Sequence, residues 1–246
     1  MSPSSPAGSR PEVGVLLPAA GQGERAGAGE LKQFRPICGV PMLLRAIRPF
    51  AQHLRVSQIV VALPPEFAAQ PPPWLREVMS QRLQVVAGGA TRADSVAHAL
   101  ERLDPACRIV LVHDAARPFV SQDVINAVIA AAEAGSGVVA AVPVGDTLKR
   151  VEEAGNADWP TRSPEGPTVR ETVDRRGLWR AQTPQGFPRA WLEEAYARRA
   201  GAGDLTDDAQ LVERLGRTVV LVRDHSTNIK VTTADDFLLA EALASR

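Results

Sequence analysis

The sequence predicts an α/β fold: a doubly wound, mostly parallel sheet with helices on both faces. Three observations carry that expectation. Short apolar runs rich in β-branched residues recur along the chain, stretches with three-four apolar spacing lie between them, and two capping pairs mark where helices begin. The runs are "VGVLLPAA" from Val13, "QIVVAL" from Gln58, "LQVVAG" from Leu83, "RIVLVHDA" from Arg108, "GVVAAVPV" from Gly137 and "TVVLVRD" from Thr218. Their near-continuous apolarity suits strands buried on both faces. Between them, "MLLRAIRPFAQHL", "TRADSVAHALERL", "SQDVINAVIAAAEAG" and "TDDAQLVERLG" each place apolar residues along one helical face. Thr91 with Asp94, and Thr233 with Asp236, have the spacing of N-terminal capping boxes.

Residues 145–179 break this rhythm. The stretch is polar and proline-bearing, and its segments "DTLKRV" and "TVRETV" have the pattern of a β-hairpin. It is expected to leave the main body as an arm, and an arm with little core of its own usually persists by packing on something else, often a second subunit; the plain alternative is a long surface loop. Residues 1–12, rich in Ser, Pro and Gly, are expected to form a flexible tail, with 13–246 a single domain.

Composition narrows the function classes. The 246 residues suffice for a sizeable core, and 45% apolar with 23% charged residues is ordinary for a folded globular chain. Lysine plus arginine equals aspartate plus glutamate, so no global basic field recruits nucleic acid or an anionic membrane, and any anion site is local. No apolar run approaches the roughly 20 residues needed to span a bilayer. Cys38 and Cys107 have neither disulfide-framework nor zinc-site spacing and read as buried small hydrophobes. A cytoplasmic protein is expected.

The stretch "LLPAAGQGERAGAGELKQF", Leu16 to Phe34, follows the first strand with a glycine-rich turn. Gly21, Gly23 and Ala26 fit the dinucleotide pattern G-x-G-x-x-G/A. A dinucleotide site also needs an acid about 20 residues later, yet no Asp or Glu lies between Glu30 and Glu66, and Pro36, Gly39 and Pro41 interrupt the helix that should follow. A Walker loop fails too, because Lys32 lacks the preceding glycine and following hydroxyl. What remains is a backbone cradle for phosphate oxygens with Arg25 and Lys32 arriving from the same loop, an arrangement that suits a triphosphate. The plain alternative is that both cations only solvate the loop. Asp114, at the carboxyl end of a strand, stands where ligands bind in open α/β sheets and suits Mg²⁺, or else is a turn residue. His113 beside it reads as a core histidine rather than a base.

"GGATRADSV", "VHDAARPFV", "VGDTLKR", "TVDRRGLWRAQTPQGF", "LTDDAQLVE" and "NIKVTTADD" follow the glycine loop in order. Together they resemble the 2-C-methyl-D-erythritol 4-phosphate cytidylyltransferase family of the non-mevalonate isoprenoid pathway, over nearly all the chain from Val13. The resemblance implies a Rossmann-like nucleotidyltransferase fold, a homodimer joined by the arm, and Mg²⁺-dependent transfer of CMP from CTP. It implies that Arg25 and Lys32 neutralise the phosphates at the reacting α-phosphorus. Ala19, Ala20, Gly21 and Gly23 would lie along the nucleotide, and Gly89 and Ser95 would touch its base or ribose. Asp114 would hold the metal and, with Arg117, the sugar alcohol. The acceptor phosphate falls to Thr183, Thr206 and Lys230 of one subunit and to Thr147 and Arg175 of the partner's arm. Many relatives carry an acid where this chain has Ala90, so base selection is expected to rest more on backbone contacts. A ribitol 5-phosphate cytidylyltransferase and a non-catalytic nucleotide-binding regulator are the competing readings. The chain ends too early for a fused cyclase, so a monofunctional enzyme is expected.

Overall fold

A computed structural model describes residues 12–21, 31–152, 167–199 and 207–245. The chain opens with β1 (Glu12–Pro18), then a 3₁₀ turn (Lys32–Phe34) and the short hairpin β2 (Pro36–Ile37) and β3 (Val40–Pro41). α1 (Met42–Ala51), β4 (Val56–Leu63), α2 (Pro65–Ala69), α3 (Pro73–Arg76), β5 (Leu83–Ala87), α4 (Arg92–Arg102), β6 (Cys107–Val112), α5 (Gln122–Glu133) and β7 (Gly137–Pro143) follow. After β8 (Leu148–Val151) and β9 (Val169–Val173) come β10 (Trp179–Pro188), α6 (Arg189–Ala197), α7 (Ala209–Arg214), β11 (Val219–Arg223) and α8 (Ala234–Ala244).

Seven strands form one sheet in the order β11, β7, β10, β6, β1, β4, β5. All neighbours pair in parallel except β10, which runs antiparallel to both β6 and β7. The apolar runs make it a buried sheet by pointing alternate side chains into two cores. Val15, Leu17, Ile59 and Leu111 join the core under α1 and α5, whereas Leu16, Val60, Val110 and Val112 join the one under α4, α6 and α7. Both predicted capping boxes are present, with the Thr91 and Thr233 hydroxyls accepting the N–H of Asp94 and Asp236. A third cluster seats the β2–β3 hairpin on α8 through Ile37, Met42, Val231 and Phe237.

Two departures from the sequence reading have clear physical causes. β10 was not among the predicted strands, and its Pro184 and Pro188 are residues that a central strand disfavours. Pro188 ends the strand, and Pro184 sits in a bulge. Ala181 pairs with Ala141 but Gln185 with Val139, so four steps along β10 face two along β7. Cys38, expected to be buried, is exposed. It and Gly39 are the turn of the β2–β3 hairpin, with φ of 45° and 73°, the doubly left-handed geometry that a two-residue hairpin turn demands.

The predicted hairpin in the arm is β8 with β9, registered Leu148 to Val173 and Arg150 to Glu171. It forms its own two-stranded sheet. Leu148, Val169, Leu178 and Trp179 leave much of their apolar surface exposed there.

Candidate active site

The carboxyl ends of β1, β5 and β6 open onto one side of the sheet, and the loops leaving them line a cleft with a volume of about 250 Å³. Its floor is Ala19, Ala20 and Gly21, its walls are Lys32, Gln33, Gly89 and Ser95, and Asp114 with Lys230 closes one end. Gln33, which sequence reasoning missed, holds the chain where it leaves β1: its buried side-chain amide donates to the carbonyls of Ala19 (2.6 Å) and Gly21 (3.3 Å). The turn bearing Lys32 is fixed in its own way, by Phe34 packing edge-on against Phe67 and Trp74.

The glycine pair after β5 is required by contact. A Cβ on Gly88 would lie 2.3 Å from Ala20 Cβ, and one on Gly89 would lie 2.2 Å from Asp94 Cβ. The Ser95 hydroxyl spans the same turn, accepting from Gly89 N–H (3.1 Å) and donating to the Thr91 carbonyl (3.0 Å). Ser95 therefore lines the cleft while its hydroxyl holds the turn.

A second cavity, also about 250 Å³, is lined by Arg117, Gln182, Thr183, Gln185 and Asp207. It shares Arg92, Asp114 and Lys230 with the first, so these three residues are the seam between the two. Asp114 is nearly buried. Its Oδ1 accepts from Arg92 Nε (3.2 Å), and its Oδ2 faces Lys230 Nζ (3.0 Å) and Arg117 Nε (3.8 Å). Burial opposes the charge, but Arg92, Lys230 and Arg117 outweigh it and hold the carboxyl well below the usual carboxylate range. Lys32 lies close enough to feel the same field, its pKa lowered by burial and by Lys230 against the opposing pull of Asp114.

A buried chain of hydrogen bonds sets the seam. Asp114 N–H donates to Thr183 Oγ1 (3.0 Å), and Thr183 Oγ1 lies 3.0 Å from His113 Nδ1, whose ring also places Nε2 2.9 Å from the Arg117 carbonyl. A carbonyl only accepts, so Nε2 carries the proton and Nδ1 accepts from the threonine. Burial lowers His113 to about 4, which keeps it neutral and makes it a spacer between cavity-lining residues. The bulge in β10 is what turns Thr183 toward it. Arg117 and Thr183 are fixed through Asn228: its carbonyl accepts from Arg117 Nη1 (2.8 Å), and its side-chain amide donates to the Thr183 carbonyl (2.8 Å) and to Asp224 (2.6 Å).

The structure thus gathers Ala19, Ala20, Gly21, Lys32, Gly89, Ser95, Asp114, Arg117, Thr183 and Lys230 into one bilobed cleft. Thr147 and Arg175 line neither cavity of the same chain. They sit at the exposed base of the hairpin, where the Arg175 guanidinium donates to the Gly145 carbonyl. Gly23, Arg25 and Thr206 lie outside the described residues. Arg92 and Asp208 were missed. The available signal for Arg92 was a cation at the first position of a capped helix, where the helix dipole disfavours it; Asp208, at the start of α7, gave none.

Among the described residues the donor set does not make a protein-held Mg²⁺ site. Asp114 is the carboxylate that lines the first cavity, and both of its oxygens already face cations. Among the described residues, no three or more His, Cys, Asp or Glu cluster as ligands.

Small residues under one cavity, and cations around its seam with another, define an α/β protein that handles a nucleotide beside a second anionic substrate. The chain belongs to the 2-C-methyl-D-erythritol 4-phosphate cytidylyltransferase family, whose model matches residues 13–246. It is 44% identical over 234 residues to the family's enzyme from Salinibacter ruber, covering 94% of this chain and 92% of that one. The Saccharopolyspora erythraea enzyme is 45% identical over 94% and 98% of the two chains. Among solved structures, the enzyme from Thermus thermophilus superposes with a TM-score of 0.76 at 37% identity, covering 96% of this chain and all of that one.

His113 gives a pH test. Its folded value of about 4 lies below the ordinary 6.5, so between those limits the unfolded chain binds more protons, and stability rises with pH. Stability is complete above about 6.5 and falls as pH drops toward 4, by up to about 3 kcal/mol from this group. Denaturant unfolding at a series of pH values is expected to show that slope, and His113→Gln, which keeps a donor and an acceptor without titrating, is expected to flatten it. Equal slopes in the two proteins would refute the assignment.

Proposed function

We propose that the chain transfers CMP from CTP to 2-C-methyl-D-erythritol 4-phosphate, giving 4-diphosphocytidyl-2-C-methyl-D-erythritol and pyrophosphate. The observation that carries the reading is the pair of cavities sharing Arg92, Asp114 and Lys230. The first, floored by backbone and flanked by Lys32, takes the nucleotide; the second takes the sugar-alcohol phosphate. The nucleotide enters as its magnesium salt, with the metal belonging to the substrate.

In the reaction, a phosphate oxygen of the acceptor forms a bond to the α-phosphorus while the bond from that phosphorus to pyrophosphate breaks, the electron pair leaving with pyrophosphate. A phosphomonoester has a second pKa near 6, so its dianion is the nucleophile at neutral pH and no general base is needed. That agrees with a neutral, buried His113 and a cleft built from cations and glycines. Lys32, with Arg25 from the loop outside the described residues, supplies positive charge where negative charge grows in the transition state. Asp114 and Arg117 hold the acceptor's polyol, and Thr183, Thr206 and Lys230 its phosphate.

Pyrophosphate release from CTP is the test. Release is expected with 2-C-methyl-D-erythritol 4-phosphate, and Lys32→Ala is expected to lower kcat by about 10²–10³. Preference for ribitol 5-phosphate would overturn the acceptor, and silence with both would overturn the transfer.

The functional unit is a homodimer in which Thr147 and Arg175 of the arm complete the partner's acceptor site. The exposed apolar side chains of the arm support this, since water is a poor neighbour for Val169, Leu178 and Trp179. The reaction belongs in the cytoplasm, where CTP is made and where unpaired cysteines such as Cys38 stay reduced. Val169→Glu, at a position already 53% exposed, should fold normally, sediment as a monomer and raise the acceptor KM. A variant that stays dimeric with an unchanged acceptor KM would contradict the shared site.

A further inference from the structure

We propose that Arg92 is a further catalytic residue of this cleft, aimed by the buried Asp208–Tyr196 pair so that its free guanidinium edge meets the phosphate passing between the two cavities. The inference rests on the nucleotidyl-transfer reading above. Arg92 is the first residue of α4, where the exposed N–H groups of the helix make a cation unwelcome. Yet its side chain turns into the seam and lines both cavities.

The guanidinium is held at two points. Nη2 donates to Asp208 Oδ2 (2.8 Å), and Nε donates to Asp114 Oδ1 (3.2 Å). The Asp208 side chain is fully buried and is itself fixed, with Tyr196 O–H donating to Oδ1 (2.5 Å) and its own N–H donating to Gln185 Oε1 (3.1 Å). Nη1 has no hydrogen-bond partner among the described residues, and 30% of the side chain remains exposed. A counter-ion for Asp208 alone has no need of this geometry; a planar fork held by one edge, with donors left over at an anion site, is how arginine recognises phosphate. Burial opposes the charge, but Asp208 and Asp114 raise its pKa further, so it stays cationic throughout turnover. Arg92 transfers no proton. It stabilises the charge that builds on the phosphoryl oxygens as the acceptor oxygen bonds to the α-phosphorus and pyrophosphate departs.

The test pairs Arg92→Lys with Asp208→Asn. Arg92→Lys keeps the charge but loses the fork, and kcat is expected to fall about 10- to 100-fold with the KM for CTP within about threefold and an unchanged melting temperature. Asp208→Asn keeps the guanidinium but loosens its anchor, and a kcat loss of about threefold to tenfold is expected. A folded Arg92→Lys with wild-type kcat would overturn the proposal, as would kcat losses in either variant that merely track lost stability. Should Arg92→Lys fail to fold, Asp208→Asn decides: wild-type kcat there sinks the idea. Should the wild-type chain release no pyrophosphate with either acceptor, the transfer reading fails, and calorimetric binding of pyrophosphate decides Arg92 separately. About tenfold weaker binding by Arg92→Lys supports the contact, and equal affinity refutes it.

Discussion

A carboxylate taken out of water must be repaid in full by its surroundings, and Asp114 shows where the repayment comes from. Its two oxygens are shared among Arg92 from the start of α4, Arg117 from the loop after β6 and Lys230 from the segment before α8. Those residues come from distant parts of the sequence, and without Asp114 only Arg92, through Asp208, keeps an ion-pair partner among the described residues. Like charges crowded this closely repel, and Lys32 already registers the proximity of Lys230. The carboxylate is therefore what lets so much positive charge collect in one cleft before any phosphate arrives. A bound triphosphate and a phosphomonoester add negative charge at the same place, so substrate binding relieves the repulsion that the empty cleft carries.

The rest of the fold keeps that point rigid. β6 delivers Asp114 at the carboxyl end of the sheet, β10 brings Thr183 against its backbone N–H, and His113 ties Thr183 to the Arg117 carbonyl. On the nucleotide side the backbone approaches closely because Gly88 and Gly89 have no side chains to collide with Ala20 and Asp94. Gln33 holds the Ala19 and Gly21 carbonyls from the other flank. None of these contacts is chemistry, but a cleft that aligns two phosphates in line depends on such fixed geometry for its rate.

Much of this was legible in the residues. Buried parallel strands announce themselves by continuous Val, Ile and Leu, and capped helices by Thr-x-x-Asp, so six strands and the starts of α4 and α8 followed directly. The glycine loop with Lys32 and the strand-end Asp114 pointed to an anion site because backbone donors and cations have few other reasons to meet. β10 did not follow: prolines are disfavoured in a central strand, and here a bulge and a strand end accommodate them. Cys38 read as apolar filling because composition does not reveal that a two-residue turn exposes it. Arg92 and Asp208 stayed hidden for a different reason: their roles arise from a pairing across 116 positions that no local pattern encodes. Gln33 likewise gives no sign, as an amide beside a lysine, that it holds the carbonyls of a loop more than ten residues away.

The central claim is that one carboxylate joins the two halves of the cleft. Steady-state kcat/KM for CTP and for 2-C-methyl-D-erythritol 4-phosphate, compared between the wild-type chain and Asp114→Asn, tests it most directly. Loss of the shared counter-ion is predicted to lower both values by about tenfold or more, because the cations serving each substrate then move apart. A loss confined to one substrate, with the other unchanged, would mean that Asp114 serves a single subsite and that the seam does not couple the two.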